Sequence, residues 1–150
     1  MADIHRKPPE AMEAISRAAL LARLKGGITP AERAALVGDG HGLVLSRYNR
    51  ATLSRMLAMD ACPEGPPVSS ASLSAMEAAL RDYLDRYMPD QPEAHRWIVL
   101  SCLFLAFVVQ EPLHPQAVVG WRIVEGRYAC PAREISGDSL CRWCACGGSV

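Results

Sequence analysis

The strongest constraint on the fold is a nearly uninterrupted apolar run at residues 97–109, WIVLSCLFLAFVV. As a helix this run is about 20 Å long, whereas the hydrocarbon core of a bilayer is about 30 Å thick. A helix that is apolar on every side is normally surrounded by other elements. The run therefore predicts a buried helix at the centre of a helical bundle, and no membrane span.

Two segments near the N-terminus carry helix signals. A helix is predicted over about residues 10–25, ending at a glycine pair, with inward positions at Met12, Ile15, Ala19 and Ala22. The sequence Thr29-Pro30-Ala31-Glu32 supplies an N-cap, a proline at the first helical position and a capping-box glutamate. It predicts a second, short helix that ends at Gly38.

Two longer helices are predicted before the apolar run. Residues 43–59 have the inward positions Leu45, Leu53, Met56 and Leu57. Residues 71–88 are predicted to turn one stripe toward the core, made of Leu73, Met76, Leu80, Tyr83, Leu84 and Tyr87. Surface ion pairs are expected between Arg81 and Asp85 and between Asp82 and Arg86. Asp90 is expected to cap the helix that contains the apolar run.

Length and composition indicate one globular domain. A chain of 150 residues, half of them hydrophobic, is long enough to bury a core without disulfides. We expect a mainly α-helical single domain over residues 1–150, with a bundle of about five helices at residues 1–110. Residues 111–150 are expected to form a small β-hairpin and a cysteine-rich metal knuckle of the same domain.

The charge balance argues against a nucleic-acid partner. Sixteen basic side chains equal sixteen acidic ones, so no overall field favours nucleic acid or an anionic membrane. Arg47, Arg50 and Arg55 offer a local phosphate-binding or nucleic-acid-binding face, which is kept as a third hypothesis behind a solvated helix face. The polar N-terminus does not resemble a secretory signal, so we expect a cytoplasmic protein.

The chemistry of the chain is concentrated in its last third. Four of the six cysteines are Cys130, Cys141, Cys144 and Cys146, and His114 precedes them. Residues 121–124 and 127–130, separated by Glu-Gly, predict a hairpin that returns Cys130 toward His114. In a reducing compartment, clustered cysteines more often bind metal or carry out chemistry than form disulfides.

This spacing predicts a metal site. A C-x2-C turn, here Cys141 and Cys144, lets two thiolates bind one ion, and Cys130 is the obvious third ligand. The fourth ligand is His114, which is preferred, or Cys146. Thiolates suit zinc or an iron–sulfur cluster, and we favour a closed structural zinc site. Free or reversibly oxidised thiols and a catalytic Cys–His pair are weaker alternatives, since nothing singles out one cysteine as nucleophile.

At these residues the chain resembles an uncharacterised family of small archaeal proteins, found mainly in methanogens, known as domain of unknown function 2115. The resemblance covers about residues 97–146. It rests on three motifs: Glu111-Pro112-Leu113-His114-Pro115, Gly126-x-Tyr128-x-Cys130-Pro131-x-Arg133, and Cys141-x-Trp143-Cys144. It implies that His114, Cys130, Cys141 and Cys144 belong together, and it implies no activity.

The chain departs from the family pattern at two places. The stretch after His-Pro, residues 116–120, is shorter than in the family, and Cys146 is additional. Because the ligand set is closed and no general base or substrate-pocket signature accompanies it, we expect a non-enzymatic accessory or assembly protein that binds zinc and has a protein partner. The alternative is an iron–sulfur redox or metal-handling protein.

Overall fold

A computed structural model describes residues 13–38, 45–133 and 139–146. The described part contains six helices: α1 (Arg17–Gly26), α2 (Pro30–Val37), α3 (Arg47–Ala58), α4 (Ser70–Tyr87), α5 (Pro92–Leu103) and α6 (Gln116–Val119). Two antiparallel strand pairs join β1 (Ala14–Ile15) to β2 (Val68–Ser69) and β3 (Arg122–Val124) to β4 (Arg127–Ala129). The predicted mainly helical fold with a C-terminal hairpin is therefore confirmed.

The first helix begins later than predicted. Its N-cap is Ser16, whose Oγ accepts a hydrogen bond from the Ala19 N–H at 3.1 Å. Ile15 lies in β1 and pairs with Val68. The predicted helix over residues 10–25 is wrong at this end, because Ile15 pairs with a segment far along the chain. Met12 and residues 10–11 lie outside the described residues.

The buried face of α1 also differs from the prediction. Leu20, Leu21 and Leu24 are buried, whereas Ala19 and Ala22 are exposed. Orienting the helix by its leucines removes far more apolar surface from water than orienting it by its alanines. The leucines therefore determine which side faces the core.

The capping box of α2 is confirmed. Thr29 Oγ1 accepts from the Glu32 N–H at 3.1 Å, and Glu32 Oε1 accepts from the Thr29 N–H at 2.9 Å. The helix ends at Gly38, as predicted. Arg96 of α5 donates to both carboxylate oxygens of Glu32 and to the carbonyl of Gly27. The cap is therefore also a link to α5.

Helix α3 packs as its pattern predicts. Leu53, Met56 and Leu57 are buried, and Leu45 is half-buried against the core. The N-cap is Ser46, whose Oγ accepts from the Asn49 N–H at 3.1 Å. The predicted inward positions of this segment are therefore confirmed.

Helix α4 turns four of its six predicted stripe residues into the core. Leu73, Met76, Leu80 and Leu84 are buried, but Tyr83 and Tyr87 are 46% and 62% exposed. Tyr83 precedes Leu84 by one residue and so points about 100° away from it on the helix. The prediction that both tyrosines are core residues is wrong.

The charged side chains of α4 are paired partly as predicted. Arg86 pairs with Asp82 at 3.5 Å, as expected. Arg81 pairs instead with Glu77 at 3.0 Å, and Asp85 lies 3.7 Å from Nδ1 of His95. The predicted Arg81–Asp85 pair is wrong, because Glu77 lies one turn earlier on the same side of the helix.

Helix α5 and its continuation lie at the centre of the bundle. The continuation, Phe104–Val109, is π-helical, and the two segments together contact α1, α3 and α4. The N-cap is Gln91 and not Asp90 as predicted, with Pro92 in the first turn. The apolar run is thus the central helix that its composition predicts.

One helical stretch, Pro92–Val109, is long and apolar enough to cross a membrane when only length and composition are considered. Half of its window is buried inside the protein. A core helix of a globular protein meets the same criterion.

The core joins all the longer helices. Its fully buried side chains come from α1 to α5 and from the π-helical segment, and the largest are Leu20, Leu36, Leu53, Met56, Met76, Leu80, Leu84, Phe104 and Val108. Each buried aliphatic or aromatic side chain contributes roughly 1.5–3 kcal/mol through burial. The bundle therefore has an apolar core of its own.

The bundle is joined to the C-terminal residues by contacts just after α5. Glu111 forms a bidentate ion pair with Arg55 of α3. Tyr48 of α3 donates its hydroxyl to the carbonyl of Pro112 at 3.3 Å, and Leu113 is buried. These contacts fix the start of the C-terminal module, which we define as residues 111–146.

Candidate metal centre

The predicted hairpin brings Cys130 back toward the bundle. Strands β3 and β4 pair in register from Arg122–Ala129 to Val124–Arg127, as predicted. The turn residues Glu125 and Gly126 both have positive φ, 51° and 78°. Two successive positive φ values are typical of a type I′ turn, whose twist matches that of the strands. Cys130 follows β4 directly and is buried.

The C-x2-C pair lies on a tight turn. Residues Leu140–Trp143 form a 3₁₀-helix capped by Ser139, whose Oγ accepts from the Cys141 N–H at 3.1 Å. The Cys144 N–H donates to the Cys141 carbonyl at 3.1 Å. This turn contacts α4, and both cysteines in it are half-buried.

Three thiols meet next to this turn. Cys146 is 2% exposed, and the Cys144 and Cys130 thiols lie near enough to its thiol to affect its pKa. Burial raises the pKa of the Cys146 thiol to about 12, and the neighbouring Cys144 and Cys130 thiols act in the same direction. Cys144 Sγ also accepts from the Leu113 N–H at 3.5 Å. The cluster of Cys130, Cys144 and Cys146 therefore joins the hairpin, the turn and the segment after α5.

The other two predicted ligands, Cys141 and His114, border the same cleft. Cys141 lines the cleft from the 3₁₀-helix. His114 is exposed, and its backbone carbonyl accepts from Nε1 of Trp121 at 3.0 Å. The structure therefore brings together Cys130, Cys144 and Cys146, and it places His114 on the exposed side of the cleft.

No ready metal site is formed within the ranges that the structure describes. Over those ranges, no group of three or more His, Cys, Asp or Glu side chains is arranged to hold a metal ion. Cys130, Cys144 and Cys146 are free cysteines. The predicted metal knuckle thus stays a prediction, and the observed feature is a cluster of thiols.

Sequence reasoning missed two residues beside the cluster. Cys102 of α5, interpreted as a small buried hydrophobe, lines the cleft, and its pKa is raised to about 12 by burial and then by Cys144. Tyr48 also lines the cleft, and its pKa is raised by burial and then by Cys102. Cys102 lies in a run where nearly every residue is apolar, so no sequence pattern marks which side faces the module.

The cluster opens onto a large cleft between α4 and the C-terminal module. Its volume is about 1220 Å³. Aromatic side chains line it from both sides: Tyr48, Tyr83, Tyr87, Trp121 and Trp143. Binding clefts for small molecules are typically about 300–1,000 Å³ and have such mixed walls.

Comparison with known proteins identifies the family. The family model described as uncharacterized protein conserved in archaea (DUF2115) matches residues 26–148. No curated protein matches the chain, and no solved structure does. The match includes helices α2 to α5, beyond the residues 97–146 where the resemblance was expected to be strongest. The chain therefore belongs to the archaeal family of domain of unknown function 2115.

Proposed function

We propose that the C-terminal module binds one zinc ion through thiolates, and that the protein is a non-enzymatic accessory or assembly protein. The observation that carries the proposal is the contact of Cys146 with Cys144 and Cys130. Soft thiolate ligands from separate parts of a module are typical of structural zinc sites. The module's metal is thus a zinc ion with a structural role.

The proposed ligands are Cys130, Cys141, Cys144 and Cys146. Cys146 is buried and lies near the Cys144 and Cys130 thiols, which supports it above His114 as the fourth ligand. His114 is exposed and would have to turn toward the cluster to bind the ion. Cys141 joins the set through the C-x2-C turn, whose backbone hydrogen bond fixes its distance from Cys144. Zinc binding requires the thiol side chains to rotate around the ion.

Zinc would stabilise a module that has few buried apolar side chains. Strands β3 and β4 contain no buried residue. One ion bound to Cys130 and to the turn would cross-link the hairpin to the 3₁₀-helix, and its binding free energy would contribute to folding. The ion therefore has a structural role in this proposal, and no substrate chemistry is assigned to it.

A protein partner is supported by the outer surface of the module. Val118, Ile123 and Val124 are 71%, 64% and 42% exposed, although they are apolar. Exposed apolar side chains concentrated in one short segment, residues 118–124, support an interaction site there. We propose that the zinc-bound module presents them to a partner in the cytoplasm, where thiols stay reduced.

Metal content tests the proposal. Protein purified anaerobically should contain about one zinc per chain by elemental analysis. A folded protein without zinc or iron would contradict any metal function. The visible spectrum of the same sample separates zinc, which is colourless, from an iron–sulfur cluster.

Matched variants test the ligand set. Cys144→Ser and Cys146→Ser should lose the zinc, whereas His114→Ala should retain it. Cys62→Ser is the control, because Cys62 lies in the loop before β2 and packs against the bundle core. Retention by Cys146→Ser together with loss by His114→Ala would instead establish His114 as the fourth ligand.

An iron–sulfur redox or metal-handling protein is the second candidate. The fourth thiol supports it, since four cysteine thiolates are the usual ligands of iron–sulfur clusters. A brown preparation that bleaches in air and contains iron would support an iron–sulfur cluster in place of the proposed zinc. The third hypothesis, phosphate or nucleic-acid binding, has weaker support. Arg55 pairs with Glu111, and Arg50 donates to the carbonyls of Leu36 and Gly38.

A further inference from the structure

One wall of the cleft beside the thiol cluster is formed by side chains of α4 that are not part of the bundle core. On α4, Ala75, Ala79, Tyr83 and Tyr87 all line the cleft. They follow one another at intervals of four residues, so they form a row along one side of the helix. The two alanines leave space, and the two tyrosines supply aromatic surface at its end. This row lies beside the leucine stripe that packs into the bundle.

The tyrosines of this row are stacked on each other and open to solvent. Their ring centroids are 4.7 Å apart, with the planes inclined at 49°. Their exposed fractions of 46% and 62% leave ring surface available for contact. A planar ring placed against them would gain the same offset or tilted contact that aromatic pairs prefer.

The opposite wall combines aromatic rings with positive charge. Trp121 and Trp143 line it, and the Arg142 guanidinium lies 4.5 Å from the centroid of the Trp143 ring. Arg133 lines it too, and its Nε is buried without a hydrogen-bond partner among the described residues. A buried donor without a partner is unfavourable, and a bound anion would supply the missing acceptor.

The side chain best placed to bind an anion is Arg133. Among the described lining residues, Asp82 pairs with Arg86 at 3.5 Å, so these two charges offset each other. Arg133 belongs to the C-terminal module, whereas the two tyrosines belong to α4.

From these observations we infer that the cleft binds a small anionic molecule that carries a planar aromatic ring, of the chemical class of a mononucleotide. The ring lies against Tyr83 and Tyr87, and the anionic group binds Arg133 across the cleft. A cleft of about 1220 Å³ holds a molecule of this size. The residues proposed to contact the ligand differ from the proposed zinc ligands, although both sets line the same cleft.

Four probes test the inference on full-length protein purified anaerobically. Flavin mononucleotide and adenosine monophosphate each carry a planar ring and a phosphate; riboflavin lacks the phosphate, and inorganic phosphate lacks the ring. Both mononucleotides should bind saturably, with riboflavin and phosphate weaker by about tenfold or more. Calorimetry and, for the flavins, fluorescence anisotropy measure the affinities.

Two variants separate the two halves of the site. Tyr87→Leu should weaken both mononucleotides about tenfold, since stacking is lost. Arg133→Gln should weaken the mononucleotides about tenfold and leave riboflavin unchanged, since only the anion contact is lost. Arg81→Gln is the matched control, because Arg81 lies on the same helix, pairs with Glu77 and does not line this cleft.

The same samples give the result that would overturn the inference. No saturable binding of either mononucleotide up to about 1 mM would do so. So would affinities of Tyr87→Leu and Arg133→Gln equal to that of Arg81→Gln. Zinc content is measured beside each titration, and it should be the same in all three variants. Loss of mononucleotide binding at constant zinc content is therefore distinguishable from failure of the metal proposal.

Discussion

The helical bundle and the C-terminal module hold their folds by different means. The bundle buries side chains from five helices around the apolar run, and Leu53, Met56, Met76, Phe104 and Val108 are fully buried. In the module, β3 and β4 contain no buried residue. Its buried side chains include Leu113, Cys130 and Cys146. Burial of apolar area therefore stabilises the bundle, whereas polar and sulfur contacts hold the elements of the module together.

This difference indicates where the proposed zinc would contribute most to stability. A bundle with its own core is expected to fold without metal, because apolar burial is proportional to the area removed from water. A hairpin of two short strands is at best marginally stable by itself. The contacts of the thiol cluster are therefore the part of the structure that a metal would strengthen.

The largest effect is expected from a core substitution in the bundle. Phe104→Ala removes a ring that is 0% exposed at the start of the π-helical segment. Loss of burial and the resulting cavity should lower the free energy of unfolding by about 3–5 kcal/mol. Urea denaturation followed by far-UV circular dichroism measures the change.

A substitution of similar chemistry on the surface is the control. Ile123→Ala removes apolar atoms from a side chain that is 64% exposed on β3. Its effect on bundle unfolding should stay within about 0.5 kcal/mol. Equal effects of the two substitutions would contradict the division into a bundle with a core and a module without one.

The next largest effect is expected from metal removal, and it should be confined to the module. A chelator, or Cys144→Ser, should increase amide exchange in β3 and β4 at least tenfold, a local loss of about 1.4 kcal/mol. The helical signal of the bundle should persist. Hydrogen exchange resolved by residue measures both regions in one experiment. Unfolding of the helices at the same chelator concentration would show that the bundle and the module do not unfold independently.

Much of the fold was predictable because its signals are local. The capping box of Thr29 and Glu32, the apolar run and the Glu125-Gly126 turn each act within a few residues. The start of α1 was not predictable in the same way, since Ile15 pairs with Val68, which lies far along the chain. The exposure of Tyr87 likewise depends on where the module packs.

The candidate site was likewise predictable where its signals are local and not where they depend on packing. Spacing alone predicted Cys130, Cys141, Cys144 and Cys146 as a group, because clustered cysteines carry their own chemical signal. The sequence also favoured His114 over Cys146 as the fourth ligand, and that preference stays a prediction. The burial of Cys146 and the exposure of His114 depend on how the C-terminal module packs, which spacing does not reveal. Cys102 and Tyr48 lie beside the site only because α5 and α3 pack against the module.

A smaller effect is expected at the hairpin turn. Gly126 has φ 78°, and a Cβ there would meet no atom within 4 Å, so Gly126→Ala changes only backbone strain. The cost should be about 1 kcal/mol. Glu125 has φ 51°, so Glu125→Gly should have the opposite sign and similar size. Amide exchange of the Ile123–Tyr128 pair reports both changes. The same sign for the two variants would contradict the type I′ turn.

The smallest effect is expected at the ion pair between the α2 cap and α5. The hydrogen bond from Arg96 lowers the pKa of Glu32 from 4.5 to about 2. Because the folded-state pKa is the lower one, this contribution is complete above about pH 4.5 and is lost as the pH falls toward 2. Since Arg96 is 43% exposed, solvent screening limits the pair to about 0.5–1 kcal/mol near neutral pH.

Glu32→Gln isolates the charge, because glutamine keeps an oxygen that can accept the hydrogen bond from the Thr29 N–H. The variant should be less stable than the parent protein by about 0.5–1 kcal/mol at pH 7, and the gap should shrink between pH 4.5 and 2. A double-mutant cycle with Arg96→Gln removes effects that are not shared by the pair. A gap that stays constant down to pH 2 would mean that the cap stabilises α2 through its hydrogen bonds alone. In that case the bundle, unlike the module, would be held by apolar burial with no measurable help from charge.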